Sequence, residues 1–432
     1  MTGLVIRSAR IVDPSQGIDR VGDLLVEDGR VKAIERSIPE AREGRLLETE
    51  IVDASGLVLV PGLIDMHVHL REPGFEYKET IASGAAAAAA GGFTAVASMA
   101  NTRPPNDCAA VTAFILERAR QAEKARVHPI GAITKGMAGK ELAEIGEMVA
   151  AGAVAISDDG LPVLDAGVLR RAMEYTKIFG IPLIEHCETP ELHPGGVMNE
   201  GYWSSALGLR GIPSASEEIA VARDLVLAET TGARFHVAHL STRGSLRSVR
   251  EARSRGVNVT CEVTPHHLLL DDARVSGYDT QAKMKPPLAT EEDRNALLVG
   301  LADGTVDAIA TDHAPHHVDE KEEDFDHAPF GIVGLETALP LCLDRLVRPG
   351  VISLSRLVEL LSCGPARILA LEGGTLRVGA PADLTLIDLE QPLRVEPSAF
   401  LSRGKNTPFA KWELRGRAVR TIVGGRTVWS LA

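Results

Sequence analysis

The chain has 432 residues, 45% of them hydrophobic and 24% charged, which excludes a disordered or fibrous protein and leaves room for a large core. Lysine and arginine number 46 against 59 acids, a formal charge of −13 with no basic block, so nothing points to nucleic acid or an anionic membrane as partner. A small anionic substrate would need positive charge gathered locally.

The five cysteines, Cys108, Cys187, Cys261, Cys342 and Cys363, are scattered and never in a Cys-x-x-Cys spacing. The first residues show no basic stretch followed by a long apolar run. A reduced, cytoplasmic protein is expected.

Residues 4–58 alternate short apolar runs with turn pairs such as Asp28-Gly29, a pattern of β-hairpins with no room for long helices. From 59 to about 371, apolar strands alternate with helical stretches. Strands are predicted at 58–66, 93–99, 127–133, 153–156, 182–185, 234–238, 257–263 and 306–310. Helices are predicted between them at 78–90, 109–122, 140–151, 168–178, 216–230, 244–254 and 291–301, with two more at 335–346 and 355–369. Residues 81–100 carry no charge and approach the length of a membrane span. They are mostly alanine, however, and broken by Gly84, Gly91 and Gly92, which reads as an alanine-rich helix, a glycine stop and a strand. Hairpin-like runs return after 372. The pattern predicts an α/β fold, a (β/α)8 TIM barrel over 59–371, with a small β-sandwich domain assembled from both chain ends, 1–58 and 372–432.

Each predicted barrel strand runs into residues suited to a site. The first ends in His67 and His69, which share one face of an extended strand and so reach one point, as two imidazoles on a transition metal do. Arg71 follows. The second ends in Asn101, the fourth in Asp158 and Asp159, the fifth in His186, the sixth in His239, the seventh in His266 and His267, and the eighth in Asp312, His313 and His316. In a barrel these ends converge on one mouth.

Plainer readings compete for several of these residues. Asp159-Gly160 is a common turn pair. His236 lies an odd number of residues from His239 and faces the other side of its strand, so it is assigned to packing. Ser241-Thr242 before a helix reads as an N-cap. His266, His267, His313 and His317 are assigned to support or surface, and His128 and His193 receive no role. Four histidines and two carboxylates at one mouth could hold one or two divalent ions with a carboxylate left as base, while Arg71 offers a fork for a substrate carboxylate. Metal-assisted hydrolysis of an amide-like bond in a small anion follows.

The chain resembles the amidohydrolase superfamily, and within it class I dihydroorotases, over almost its whole length. The matching motifs are His67-Val68-His69-Leu70-Arg71-Glu72-Pro73-Gly74, Met99-Ala100-Asn101-Thr102-Arg103-Pro104, Ser157-Asp158-Asp159-Gly160, Glu185-His186-Cys187-Glu188, His236-Val237-Ala238-His239-Leu240-Ser241-Thr242, Thr311-Asp312-His313-Ala314-Pro315-His316 and Pro329-Phe330-Gly331-Ile332-Val333-Gly334-Leu335-Glu336. The resemblance implies reversible conversion of (S)-dihydroorotate to N-carbamoyl-L-aspartate in pyrimidine synthesis, with one or two Zn2+ per subunit. It implies that His67, His69, Asp159, His186, His239 and Asp312 are metal ligands, with Asp312 also the proton shuttle. Arg71, Asn101 and His316 become the clamp for the substrate carboxylate, and Pro329 and Gly331, beyond a charged loop beginning at His317, lie near the ring.

Two motifs depart from the family pattern. Lys285-Pro286-Pro287-Leu288-Ala289 stands where Asn-Pro-Pro-Leu-Arg is common, and Met99-Ala100-Asn101-Thr102 where Met-Pro-Asn-Thr is. Lys285 is expected to bind substrate, donating to a ring carbonyl where an asparagine could also accept from a ring N–H. The competing activities are those of a hydantoinase or allantoinase, or of a non-catalytic dihydroorotase-like subunit of an aspartate transcarbamoylase complex. The retained histidines favour an enzyme, for which the transcarbamoylase is a possible partner and a homo-oligomer is expected.

Overall fold

A computed structural model describes residues 2–39 and 48–431. In chain order the strands are β1 (Thr2–Asp13), β2 (Ile18–Glu27), β3 (Arg30–Glu35), β4 (Glu48–Asp53), β5 (Val58–Pro61), β6 (Leu63–Val68), β7 (Phe93–Ser98), β8 (Arg126–Gly131), β9 (Ala155–Ile156), β10 (Leu183–Glu185), β11 (Met198–Asn199), β12 (Gly211–Ile212), β13 (Phe235–Val237), β14 (Val259–Val263), β15 (Ala308–Ile309), β16 (Leu384–Arg394), β17 (Glu413–Val423) and β18 (Arg426–Ser430).

Both chain ends build one eight-stranded sheet, ordered β18-β17-β16-β5-β1-β2-β3 with β4 also on β1. The first half of β1 pairs with β4 and a later part with β5. Between them the register shifts, and Ser8, at φ 58°, gives its N–H to Asp23 Oδ1 at 2.9 Å. That bulge bends the strand from one partner to the other. Leu4, Ile6, Ile11, Leu24 and Leu59 share one apolar core with Leu376, Leu384, Leu386 and Ile422, so neither end closes a core without the other.

The predicted first barrel strand, 58–66, is two strands. Val58–Pro61 lies in the terminal sheet, against β1 and antiparallel to β16, and Leu63–Val68 is the first barrel strand. The break falls at Gly62, whose N–H is taken by the Asp383 carbonyl at 2.8 Å, and where a Cβ would come within 2.1 Å of Thr94 Oγ1. Only a glycine preceded by a proline, which has no N–H to give to a ladder, fits this crossing point. Periodicity does not register it because both halves are apolar.

The barrel sheet runs β6-β7-β8-β9-β10-β13-β14-β15, all parallel. Met66, Ala97, Ile130, Ala155, Ile184, Ala238 and Ala308 fill its interior together with Ile368 and Leu369 of the last helix, Gly364–Leu369. The first and eighth strands meet without a full ladder. Their seam is a bridge between Val68 and His313, a bond from His69 N–H to the His313 carbonyl at 2.8 Å, and the buried carboxylate of Asp65, which accepts from Thr311 N–H at 3.1 Å and from His67 N–H at 3.1 Å.

The uncharged segment resolves as expected. Ile81–Ala90 is a ten-residue helix with a capping box between Thr80 and Ser83, and among the described residues no helix is long and apolar enough to cross a membrane. Its alanines let it lie close to the terminal sheet, where Thr421 Oγ1 donates to the Ala89 carbonyl at 2.7 Å and Thr385 Oγ1 to that of Gly92 at 2.7 Å. The predicted helix 335–346 is Ala338–Cys342 continued by a wider turn, Leu343–Val347.

Asp65→Ala leaves two buried N–H groups at the seam without acceptors and is expected to cost about 2–4 kcal/mol, at roughly 1–3 for each buried group left unpaired. The check is the thermal midpoint measured with a chelator present, so that metal occupancy does not enter the comparison.

Candidate metal centre and substrate cavity

His67, His69, Asp159, His186, His239 and Asp312 come from five strand ends and meet at the C-terminal mouth of the barrel, all buried. Asp159 is the hub. Its Oδ1 lies 3.4 Å from His67 Nε2, 3.3 Å from His239 Nε2 and 3.7 Å from His186 Nδ1, and its Oδ2 lies 3.4 Å from His69 Nε2. Asp312 Oδ1 sits 3.0 Å from His69 Nε2 and 3.6 Å from His67 Nε2. Two triads, His67 with Asp159 and His239, and His67 with His69 and Asp312, present ligand atoms within 4.8 Å of one another.

Asp158 and Asp159 are separated by their partners. Asp158 turns away and accepts from Ile133 N–H at 2.7 Å, from Thr134 N–H at 3.1 Å and from the Thr134 hydroxyl. It pins the loop after β8, whereas Asp159 faces the imidazoles.

Three imidazoles are aimed by a second contact on their outer nitrogen. Nδ1–H of His67 donates to Glu262 Oε1 at 2.7 Å and Nδ1–H of His69 to Asn101 Oδ1 at 2.8 Å, while Nε2 of His186 faces Glu188 Oε2 at 3.5 Å. Because a carboxylate or amide oxygen only accepts, the first two contacts set the tautomers of His67 and His69 and leave the other nitrogen's lone pair pointing into the cluster. His186 Nδ1 and His239 Nε2 then face each other 2.9 Å apart.

Burial alone would push the His67 imidazole down, but the carboxylates of Asp159 and Glu262 outweigh it and hold the ring well above its usual value, so the site favours a positive charge at this point, which a bound cation would supply in place of the proton. Burial would raise Asp159, yet the charge of the imidazoles around it, His67 first, holds it well below the usual carboxylate range. Asp312 is lowered against its burial by His69 and His67. Arg71, His239 and Asp312 have φ of 62°, 29° and 48°, left-handed backbone at non-glycine residues of the kind that costs of order 1–3 kcal/mol each and persists where surrounding structure enforces it.

Beside the cluster opens a cavity of about 340 Å³ lined by His69, Arg71, Asn101, Asp159, His186, Asp312, Lys285, His316, Pro329, Phe330 and Gly331, among others. Every residue predicted to meet substrate is on its wall. His67 and His239, the other two members of the cluster, are not on its wall. Arg71 Nε donates to the Pro315 carbonyl at 3.2 Å. His316 is already engaged on both nitrogens: Nε2–H donates to the Phe330 carbonyl at 2.8 Å, and Nδ1 accepts from Lys78 Nζ at 3.2 Å. Burial, then the charges of Arg71 and Lys78, hold His316 well below its usual value, so the ring is neutral and fastens the wall. Lys285 Nζ pairs with Glu188 Oε2 at 2.8 Å and lies 5.6 Å from the centre of the Phe330 ring.

His236 packs as expected, its Nδ1 2.7 Å from the Thr260 hydroxyl. His313 is held in the seam by Gly334 N–H, which donates to its Nδ1 at 3.2 Å. Glu262, Glu188 and Phe330 join the site without a role assigned to them from the sequence. The signal for Glu262 was available: a lone acid inside the apolar run Val259–Val263 has to be paired if it is buried.

Residues 56–245 match the family model described as dihydro-orotase-like, and 328–429 match that of the amidohydrolase family. The dihydroorotases of Syntrophotalea carbinolica and Geobacter metallireducens are each 53% identical to the chain, with 99% of both chains covered. Among solved structures, the L-hydantoinase (dihydropyrimidinase) of Arthrobacter aurescens is 28% identical with a TM-score of 0.87, covering 100% of this chain and 98% of its own. The dihydropyrimidinase of Brevibacillus agri, at 22% identity and a TM-score of 0.84 over 99% and 95%, shares the fold. A relative this similar over the whole length, with all six clustered residues at the barrel mouth, makes the chain a member of the dihydroorotase family of amidohydrolases.

Proposed function

We propose that the protein hydrolyses the cyclic amide of (S)-dihydroorotate reversibly to N-carbamoyl-L-aspartate, the ring-opening and ring-closing step of pyrimidine synthesis, in the cytoplasm. The observation that carries this is the shared cavity wall: Arg71 and Asn101, suited to a carboxylate, line the same space as Asp159 and Asp312. Hydantoin and allantoin lack the carboxylate that this cation would meet. The 53% identity to dihydroorotases over the full length supports the same substrate.

The donor set fits a divalent ion, and zinc is proposed because nitrogen and oxygen ligands at close spacing suit it. The fit rests on two buried atoms, His67 Nε2 and Asp159 Oδ1, which have no hydrogen-bond partner although they lie 3.4 Å apart. Beside them His186 Nδ1 and His239 Nε2 face each other 2.9 Å apart, and the outer nitrogen of His239 is buried without a partner. A cation held here would give the unpartnered His67 Nε2 and Asp159 Oδ1 a counterpart. Ligands would come from His67, His69, Asp159, His186, His239 and Asp312. When bound, such an ion polarises an amide carbonyl and acidifies water at its site.

The chain's own residues do the rest. Arg71 and Asn101 hold the substrate carboxylate at the cavity wall. Lys285 donates toward a ring carbonyl, and Pro329 and Gly331 shape the wall beside the ring. His316 stands on the same wall as the carboxylate clamp and holds it through the Phe330 carbonyl. Asp312, ionised at neutral pH, accepts the proton of the attacking water as the new carbon–oxygen bond forms. It returns that proton to the ring nitrogen as the carbon–nitrogen bond breaks.

Elemental analysis of purified protein, combined with ring-opening assays on dihydroorotate, hydantoin and allantoin, tests the assignment: bound zinc and turnover of dihydroorotate well above the other two are expected, and preferential opening of hydantoin overturns it. Asp312→Asn should keep the thermal midpoint and lose about 10²–10⁴-fold in kcat, the usual contribution of a proton-transfer group. Asp159→Ala should lose most of its bound metal, whereas Asp158→Ala should keep it and unfold at lower temperature. Equal metal content in the two variants would reverse the choice between them.

A further inference from the structure

Lys321 is only 2% exposed, and its ammonium meets three backbone carbonyls: Pro329 at 2.9 Å, Gly331 at 3.2 Å and Lys283 at 3.3 Å. Three acceptors match the full donor capacity of an ammonium. Burial, with the neighbouring charge of Lys283 second, pushes Lys321 down to about 7, so a group expensive to desolvate has been placed where a methionine would fill the same space.

Lys283, also 2% exposed, makes the reciprocal stitch. Its Nζ donates to the Phe325 carbonyl at 2.6 Å and the Asp326 carbonyl at 3.2 Å, and it stands 4.6 Å from the centre of the Phe330 ring. Its own carbonyl accepts from Gly331 N–H at 3.0 Å. The hydroxyl of Thr280 closes the set by donating to the Lys321 carbonyl. Two segments, 280–285 and 317–331, are thereby sewn together by ammonium groups on peptide oxygens.

The stitch holds one wall of the substrate cavity. Of residues 317–329 only Lys321, Phe325 and Ala328 are buried, so little apolar packing anchors the segment that ends in the wall. Every carbonyl from 329 to 331 is gripped: Pro329 by Lys321, Phe330 by His316, and Gly331 by Lys321 and by Asn406 Nδ2 at 3.0 Å. Gly331 has φ 126°, and a Cβ there would come within 2.7 Å of Ala314 Cβ, so the wall packs too closely at this point for a larger residue.

We propose that Lys321 is a positioning residue for substrate: by drawing the carbonyls of Pro329, Gly331 and Lys283 onto one ammonium, it sets the 329–331 wall at the distance from Arg71 and Asn101 that the substrate ring requires. Lys321 touches no reacting atom and acts through the wall. The proposal rests on the reading of the cavity as the substrate site. Misplacing such a wall weakens binding of the ring while leaving the metal cluster and the proton carrier untouched.

The test is Lys321→Met in the metal-loaded enzyme, with Lys283→Met and Lys321→Gln made alongside so that failure of one variant to fold leaves the others to be read. KM should rise about tenfold or more with kcat within about threefold of wild type, a split that a loss of folded or metal-loaded enzyme does not produce. Metal content should be unchanged. KM within about twofold of wild type in the folded variants, or a loss confined to kcat or traced to lost metal, overturns the proposal. The ratio is taken on whichever cyclic amide the wild-type enzyme opens, so a wrong substrate assignment and a wrong role for Lys321 give different results.

Discussion

A carboxylate shared among four imidazoles out of contact with water is the constraint on which the rest of the site depends. Isolated buried charges cost several kcal/mol each, and an arrangement with Asp159 at its centre persists only where geometry and outer hydrogen bonds compensate. Here the compensation comes from oxygens on the outer side of the rings: Glu262 for His67, Asn101 for His69 and Glu188 for His186. Those contacts turn each ring so that its other nitrogen faces inward. The barrel supplies the convergence, and the seam between β6 and β15, closed by Asp65, fixes the strand carrying His67 against the strand leading to Asp312.

Much of this was legible in the chain. Alternation of apolar strands with helices dictated a closed parallel barrel, and the polar residues following each strand then had only one place to meet. What stayed hidden has physical causes. The division at Gly62 is invisible to periodicity because both halves of 58–66 are apolar, and only the close approach of Thr94 and the bond to Asp383 separate them. Asp158 and Asp159 are chemically identical in sequence; partners more than twenty residues away, Ile133 and Thr134, decide which one turns outward. Glu262 was legible in principle, as an acid in a buried strand. Lys321 was not, since in a charged surface loop nothing in the residue string distinguishes a buried ammonium from its exposed neighbours.

The formal charge of −13 places a general repulsion on an anionic ligand. At physiological ionic strength this field is screened beyond about 8 Å, so what an incoming carboxylate meets is set by the groups at the mouth. Arg71 and Lys285 line the cavity, with Lys78 behind His316. The surplus of acids elsewhere then has little bearing on binding, and the need for locally gathered cations is met by residues from two separate segments.

The departure at Lys285 is balanced within the site. Replacing a neutral amide by an ammonium beside clustered imidazoles adds repulsion unless an anion answers it, and Glu188 does so at 2.8 Å while also facing His186 and, at 3.3 Å, His193. Burial would raise Glu188, but His186 and then Lys285 hold it down to about 2, so the carboxylate stays charged across the neutral range. Ala289, where the family commonly carries an arginine, lines a small cavity beside Glu188 and Glu217, so the positive charge absent there is present four residues earlier.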